Sequence, residues 1–297
     1  MIGRPTTEQL ARITEKHGLG RLPVRPVRST GVVNWIYAVG DDAILRIPRR
    51  SHPDGVRDTL TESVAVPAVR AGGIRTPALL AFDDSYEVVD VPFTIYERVP
   101  GRDLSSWDNA DSHRIYHELG RELARLHRDV TEVADPEGRL DTHDRWKSPD
   151  FLQQGLLDQE SAAAVAALFE HVQPMIKEAE GFRRFLHQDL KPDNIMAVDS
   201  AFTAIIDWGD AGWGDPALDF RYLPVDAVES ALTGYREIMP LDGDETAEAR
   251  ILWDQVCSAV YEDQPANGVA RILGSDQAQR WLARTLPDSN GVIDGHA

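Results

Sequence analysis

The sequence has one cysteine, fewer basic than acidic residues, and no long hydrophobic run. Cys257 is that cysteine, so a disulfide framework and a thiolate metal site are both excluded. No apolar run approaches the ~20 residues that a membrane-spanning helix needs. The N-terminal segment reads as a helix and lacks the apolar core of a signal peptide. We therefore expect a cytoplasmic location and no membrane partner.

The charge balance is strongly acidic, with 31 Lys and Arg against 49 Asp and Glu, a formal net charge of −18. Such a chain repels nucleic acids and anionic membrane surfaces, because both carry negative charge. The same field attracts small cations, although many acidic proteins are merely soluble. The composition thus argues against a nucleic-acid partner and is compatible with a cationic small-molecule partner.

The length of 297 residues exceeds the usual size of a single core, which predicts two lobes. The character of the chain changes near Pro100-Gly101, so the predicted lobes are residues 1–99 and 100–297. Before that point, short apolar runs separated by turn signals predict one helix at 59–71 and strands at 32–39, 43–47, 78–82 and 92–98.

After Pro100-Gly101 the sequence is mainly helical, with an amphipathic stripe at Leu119, Leu123 and Leu126. It predicts a long helix at 159–179 and three helical stretches within 225–286. Short strands are predicted to end at 186 and to span 195–198 and 203–206. The expected fold class is α+β, with a small β-rich N-lobe and a larger, mainly helical C-lobe.

Charged and amide side chains cluster between the predicted strands of the C-lobe. The stretch FLHQDLKPDNIM contains His187, Asp189 and Asn194, and Asp207 opens the triplet Asp-Trp-Gly at the end of the next strand. Phosphoryl transfer uses this set, because one carboxylate orients a hydroxyl while a second carboxylate and an amide oxygen hold magnesium. Two such motifs in this order, one hairpin apart, are a strong signal of a kinase.

These motifs resemble those of the aminoglycoside phosphotransferase family, whose fold is protein-kinase-like. The resemblance includes Ile205-Ile206-Asp207-Trp208 and the run Gly214-Asp215-Pro216-Ala217-x-Asp219. It implies that Asp189 is the catalytic base and that Asn194 and Asp207 bind Mg²⁺. Lys191 stands where some kinases contact the γ-phosphate, with exposure to solvent as the alternative.

For the N-lobe, the resemblance implies a binding site for ATP or GTP. Ser29, Thr30 and Gly31 resemble the phosphate loop, although a plain hairpin turn is nearly as good an interpretation. Arg46 stands where the family usually has lysine, and Glu62 resembles its partner. The run at 45–50 is similar to that of macrolide phosphotransferases, a branch of the same family. The base would contact backbone groups near Glu97 and Val99, a hinge that does not discriminate adenine from guanine.

The resemblance implies an O-phosphotransferase acting on an aminoglycoside or similar cation, and we expect a monomer. Carboxylates on the C-terminal helices would bind the ammonium groups of such an acceptor, although most acids on helix surfaces are only solvated. The candidates are Asp226, Glu229, Asp254, Glu262 and Asp263. A macrolide kinase, a kinase for a sugar or amino alcohol, and a nucleotide-binding pseudokinase remain as alternatives.

Overall fold

The computed structural model describes residues 4–20, 22–27, 33–49, 51–107, 112–143 and 148–285. They divide into two compact units that alternate along the chain. The first takes Met1–Trp107, Arg128–Asp141 and Pro192–Gly212, and the second takes Asp108–His127, Thr142–Lys191 and Trp213–Ala297. The continuous lobes 1–99 and 100–297 stay a prediction, made from chain order alone.

Within the described ranges the strands are β1 Val24–Pro26, β2 Asn34–Val39, β3 Ala43–Pro48, β4 Leu79–Asp83, β5 Phe93–Glu97, β6 Arg102–Asp103, β7 Asp141–His143, β8 Arg184–Leu186, β9 Ile195–Val198, β10 Ala201–Ile205 and β11 Gly212–Gly214. The α-helices are α1 Thr7–Lys16, α2 Pro53–Ala71, α3 Ser112–Asp129, α4 Gln159–Glu178, α5 Val225–Arg236, α6 Ala247–Ala259, α7 Pro265–Leu273 and α8 Asp276–Thr285. Strands thus concentrate in the N-terminal part of the chain and helices in the C-terminal part, as predicted.

The first unit is built on a five-stranded antiparallel sheet in the order β1-β2-β3-β5-β4. The hairpin between β2 and β3 turns at Gly40, whose φ of +62° lies in the left-handed region that glycine enters without steric cost. Alternate side chains of the central strands, among them Tyr37, Leu45 and Ile95, are buried in the core. The alternation explains why these strands could be predicted from the sequence.

Helix α2 belongs to the same unit and begins six residues before the predicted start at residue 59. Pro53 occupies its first turn, where a missing N–H costs nothing and the fixed φ suits a helix. The helix ends at Gly72, as the Gly72-Gly73 pair predicted. The helix carries Glu62, whose side chain is buried.

The returning segment 192–212 adds a second sheet to the first unit, in the order β10-β9-β6. The β9–β10 hairpin turns at Asp199 and Ser200, with φ values of +47° and +60°. Positive φ at both central residues matches the right-handed twist of a two-residue hairpin. The turn pairs Val198 with Ala201, and a bulge between Phe202 and Ala204 shifts the register, so that Ile195 pairs with Ile205 at the open end.

The second unit is mainly helical and also contains most of a three-stranded sheet in the order β7-β11-β8. Four α-helices, α5 to α8, follow residue 224, so the prediction of three helical stretches was wrong. The sequence pattern did not separate α7 from α8, because only Gly274 and Ser275 lie between these helices. Trp253 and Trp281 are among its largest fully buried side chains. None of the described helices is both long and apolar enough to cross a lipid bilayer.

Helices α3 and α5 approach each other closely enough to require glycine on both. A Cβ atom on Gly120 of α3 would lie 1.8 Å from the carbonyl oxygen of Ala231, and one on Gly234 of α5 would lie 1.9 Å from that of His117. Both obstacles are backbone atoms, which cannot rotate away. The two reciprocal glycines therefore set the distance between the helices.

We expect Gly120→Ala and Gly234→Ala each to destabilise the protein by about 3 kcal/mol, because the added methyl group forces the helix backbones apart. Gly181→Ala is the matched control, since nothing lies within 4 Å of the Cβ added there. Denaturant unfolding monitored by circular dichroism measures all three. Equal stability of Gly120→Ala and Gly181→Ala would contradict the close packing of α3 on α5.

Candidate active site

The open end of the β9–β10 hairpin brings two oxygen-bearing side chains to one edge of the first unit. Asn194 directly precedes β9, and Asp207 follows Ile206 just after β10. The Ile206 N–H donates to the Asn194 carbonyl oxygen at 3.0 Å, which extends the pairing beyond the last residues of the strands. The local register therefore places Asn194 and Asp207 together, as their spacing in the sequence suggested.

Asp207 is held in a strained backbone conformation by a cation from the five-stranded sheet. Its φ is +67°, an uncommon value for a residue with a side chain. Arg46 of β3 donates from Nη2 to Asp207 Oδ1 at 2.7 Å, and from Nη1 to Glu62 Oε1. Tyr96 of β5 donates its hydroxyl to the other Glu62 oxygen at 2.8 Å. One guanidinium thus joins the sheet, α2 and the loop after β10.

Burial shifts the pKa values of the charged side chains in this cluster. It raises the pKa of Glu62 from its ordinary value of 4.5 to about 7, because the attraction of Arg46 does not fully offset desolvation and the nearby Asp207 adds repulsion. Burial also acts to lower the pKa of Arg46, but Asp207 and Glu62 outweigh it and hold that pKa well above its ordinary value. The guanidinium therefore stays charged while Glu62 titrates near neutrality.

The second unit supplies the loop that carries Asp189. Lys191 donates from Nζ to Asp189 Oδ2 at 2.7 Å, and the backbone N–H of Asp189 donates to His187 Nδ1 at 3.2 Å. His187 is completely buried, whereas the side chain of Lys191 is 45% exposed. His187 therefore organises the loop from inside, and Lys191 presents its ammonium group beside the Asp189 carboxylate.

The donors present fit a magnesium ion. Asp207 offers a carboxylate whose side chain is 40% exposed, and Asn194 offers a buried amide at the same hairpin end. Magnesium prefers such oxygen ligands and keeps several waters and phosphate oxygens, so one or two protein groups suffice. The described residues contain no cluster of three or more His, Cys, Asp or Glu side chains suited to a metal.

The other predicted nucleotide-site residues are spread over the first unit. Ser29, Thr30 and Gly31 lie outside the described residues. Glu97 ends β5, where its backbone N–H donates to the Ala78 carbonyl oxygen at 2.9 Å. Val99 follows two residues later and is partly buried. Their contact with a base stays a prediction.

The five acids proposed for the acceptor occupy different environments in the second unit. Asp226 and Glu229 are exposed on α5 and line one open groove of about 530 Å³, together with His113, Arg114 and His117 of α3. Glu262 and Asp263 are exposed after α6, and Glu262 pairs with Arg271 at 3.2 Å. Asp254 is fully buried within α6, so the expectation of a surface acid there is corrected.

Sequence reasoning singled out Asp219, in the run 214–219, but it missed the buried partner of this residue, His127. Asp219 accepts hydrogen bonds from the backbone N–H groups of His187 and Gln188, at 3.1 and 2.7 Å. His127 of α3 lies 3.0 Å from the same carboxylate. The signal for His127 was its place one residue after Leu126 on the apolar face of a helix, because a polar group there needs a partner.

The loop that carries Asp189 and the hairpin end that carries Asn194 and Asp207 hold the side chains that a kinase-like phosphotransferase uses. The model of the phosphotransferase enzyme family, designated APH, matches residues 25–239. That match covers well over half of the chain, and the chain belongs to this family. The resemblance drawn from the motifs is thus confirmed, and the protein is a nucleotide-dependent small-molecule kinase.

Solved structures show the same fold. The GDP complex of wild-type aminoglycoside 2'-phosphotransferase-IIIa matches with a TM-score of 0.66 at 18% identity, over 92% of this chain and 98% of that one. The macrolide 2'-phosphotransferase MphH from Brachybacterium faecium, an apoenzyme, matches with a TM-score of 0.57 at 21% identity, over 96% and 99%. The expected kinase-like α+β fold is confirmed. A search of curated proteins returned no match.

The raised pKa of Glu62 predicts a pH-dependent stability difference for Glu62→Gln. Between pH 4.5 and 7 the folded protein holds a proton on Glu62 that the unfolded chain releases, so this group makes wild-type stability fall as pH rises through that window. Glutamine cannot ionise. We therefore expect the stability of Glu62→Gln relative to wild type to increase by about 1–3 kcal/mol from pH 5 to pH 8.

Denaturant unfolding of both proteins at the two pH values measures this difference. Glu137→Gln is the control, because Glu137 is an exposed acid of the same unit. A relative stability of Glu62→Gln that stays constant or decreases toward pH 8 would show that Glu62 is ionised throughout this range.

Proposed function

We propose that this kinase moves the γ-phosphoryl group of a magnesium–nucleoside triphosphate to a hydroxyl group of an aminoglycoside-like cation. The observation that carries the proposal is the Arg46 ion pair with Glu62 and Asp207 in the first unit. It fixes a permanent cation and a carboxylate at the end of the hairpin that also carries Asn194. Anionic phosphates and their metal require this pairing of charges.

In this proposal Arg46 and Lys191 neutralise the phosphates, and the hinge holds the base. The Glu97 N–H already donates to Ala78 O, so a base would use the Glu97 carbonyl oxygen and the N–H of Val99. Backbone groups read adenine and guanine with little discrimination. Solved relatives occur as a GDP complex and as a streptomycin–ATP ternary complex, which supports the use of ATP or GTP.

Asn194 and Asp207 would hold Mg²⁺, which when bound neutralises charge on the phosphate oxygens. Asp189 would accept a hydrogen bond from the acceptor hydroxyl and orient its oxygen. Lys191, whose Nζ lies 2.7 Å from Asp189 Oδ2, would help to hold that carboxylate in place. Asp189 and Asn194 are five positions apart in the chain, with residues 190–193 between them.

The acceptor is assigned to the cationic class because exposed acids lie on the C-terminal helices and the chain carries a net charge of −18. Asp226 and Glu229 line one groove, which Glu262 and Asp263 do not line. Glu229 pairs with Arg280 at 3.3 Å, and Glu262 pairs with Arg271 at 3.2 Å. Solved relatives include a GDP and kanamycin complex and a gentamicin complex. Asp226 and Glu229 are therefore the preferred acceptor residues, with Asp263 next. We further propose a monomer in the cytoplasm.

Nucleotide consumption by the purified protein, with ATP and with GTP against aminoglycosides, macrolides and amino alcohols, tests the activity.

We expect Asp189→Ala to lower kcat by several orders of magnitude with little change in nucleotide Kd, because a base acts in the chemical step. Asp207→Asn should abolish the gain in nucleotide affinity that magnesium gives wild type, as measured by calorimetry. If Asp189→Ala retained half of the wild-type kcat, the assignment of Asp189 as the catalytic base would be rejected.

A salt titration tests the charge of the acceptor. Salt screens exposed charges, with a Debye length of about 10 Å at 0.1 M. The kcat/KM for a cationic acceptor should therefore fall as salt rises, and Asp226→Lys should raise its KM by roughly 5- to 100-fold at low salt. Glu170→Lys, an exposed reversal on α4, is the matched control. A flat salt response with macrolide turnover would assign the protein to the macrolide kinases instead.

A further inference from the structure

His127 is the one histidine of α3 whose ring is completely buried. Its Nε2 lies 3.0 Å from Asp219 Oδ2, and its Nδ1 lies 3.0 Å from the Tyr235 hydroxyl oxygen. With the Tyr235 hydroxyl donating to Nδ1, the neutral ring carries its proton on Nε2 and donates it to Asp219. All three residues belong to the second unit. Because the Asp219 carboxylate can only accept when ionised, it requires the proton on Nε2, and the Tyr235 hydroxyl then binds the other ring nitrogen.

Asp219 is a fully buried carboxylate with donors on both oxygens. Oδ2 accepts from His127 and from the His187 backbone N–H, and Oδ1 accepts from the Gln188 backbone N–H. Burial acts to raise the pKa of Asp219, but the hydrogen bond from His127 and the neighbouring histidines outweigh it, so that this pKa lies below its ordinary range. The carboxylate is therefore ionised, and its charge-assisted bonds grip the loop backbone.

The backbone segment that donates to Asp219, His187-Gln188, is conformationally strained. Gln188 has a φ of +74° although it carries a side chain, and its fully buried amide makes no hydrogen bond within the described residues. A non-glycine residue in this region costs about 1–2 kcal/mol. Its carbonyl oxygen accepts from Arg221 Nη2 at 3.0 Å, so both its backbone polar groups are fixed by side chains. Because Asp189 is the next residue, rotation at Gln188 would redirect its carboxylate.

We propose that His127 is a positioning residue for phosphoryl transfer, which acts through Asp219 and the strained Gln188 backbone to hold Asp189 in its working orientation. The proposal rests on the function assigned above to Asp189. His127 itself touches neither nucleotide nor acceptor in this arrangement. Its removal should therefore lower kcat and leave the binding of both substrates almost unchanged.

The experiment compares His127→Phe, Tyr235→Phe and Val172→Ala. Phenylalanine keeps a ring in place of His127 but donates nothing to Asp219, so kcat should fall about 100-fold, the cost of misplacing a reacting group by about 1 Å. Tyr235→Phe removes only the hydrogen bond to His127 Nδ1 and should cause a smaller fall in kcat. Val172, buried in α4, takes no part in the network, and its truncation controls for lost stability.

KM for nucleotide and acceptor, the nucleotide Kd and the folded fraction are measured for each variant. His127→Gln adds a variant that keeps a donor, and it should recover part of the kcat lost in His127→Phe. If His127→Phe does not fold, the kcat values of Tyr235→Phe and His127→Gln test the proposal instead. The proposal is overturned if kcat per folded molecule in the variants that fold matches wild type, or falls no further than in Val172→Ala.

A double variant separates positioning from a general structural role. In the Asp189→Ala background, His127→Phe should have almost no further effect on the residual activity, because the group that it positions is gone. Independent, multiplicative losses would reject positioning through Asp189. High activity in Asp189→Ala alone would instead reject the proposed function. Loss of activity in Asp189→Ala with wild-type kcat in His127→Phe would reject only the role of His127.

Discussion

The first unit depends on one buried guanidinium with two carboxylate partners. Arg46 connects β3 to α2 through Glu62 and to the loop after β10 through Asp207. Removing one partner of a buried charge is costly, because the remaining charge has lost its solvation and gained nothing.

The choice of arginine rather than lysine is part of this arrangement. A guanidinium presents separate Nη atoms in a planar fork, so Nη1 and Nη2 of Arg46 bind different carboxylates. A lysine ammonium is a single compact charge, so one nitrogen atom would have to bind both carboxylates. The departure from the usual family residue therefore has a geometric consequence: Glu62 and Asp207 are bridged by opposite ends of one rigid group.

In the second unit the central buried charge is instead an anion, the Asp219 carboxylate. Asp219 collects two backbone N–H groups and the His127 ring, and these donors stabilise its charge without a buried cation of the arginine type. The close packing of α3 on α5 at Gly120 and Gly234 supports this arrangement, because α3 carries His127 and α5 carries Tyr235. Helix packing thus determines where the loop before Asp189 can be held.

The parts of the site that the sequence predicted are those in which local spacing determines position. Asn194 and Asp207 meet because a hairpin joins them, and strands such as β3 show their alternation within six residues. Asp219 and His127 could not be paired from the sequence, because 92 positions separate them and only helix packing brings them together. Asp254 was misplaced for a related reason, since α6 buries nearly its whole circumference and its pattern does not mark an exposed face.

The exposure of the Arg46 cluster also bears on the choice between an enzyme and a pseudokinase. The side chains of Glu62, Arg46 and Asp207 are 3%, 14% and 40% exposed, so burial decreases steadily toward Asp207. A carboxylate in contact with water can change its partner at lower cost than a buried one, because solvent compensates the bond that is lost. Glu62, when ionised, is therefore the partner that Arg46 loses less easily, while under the proposed function Asp207 is the partner that would turn toward a metal. The arginine at position 46 is compatible with catalysis for this reason, since it retains one fixed carboxylate when the other is engaged elsewhere.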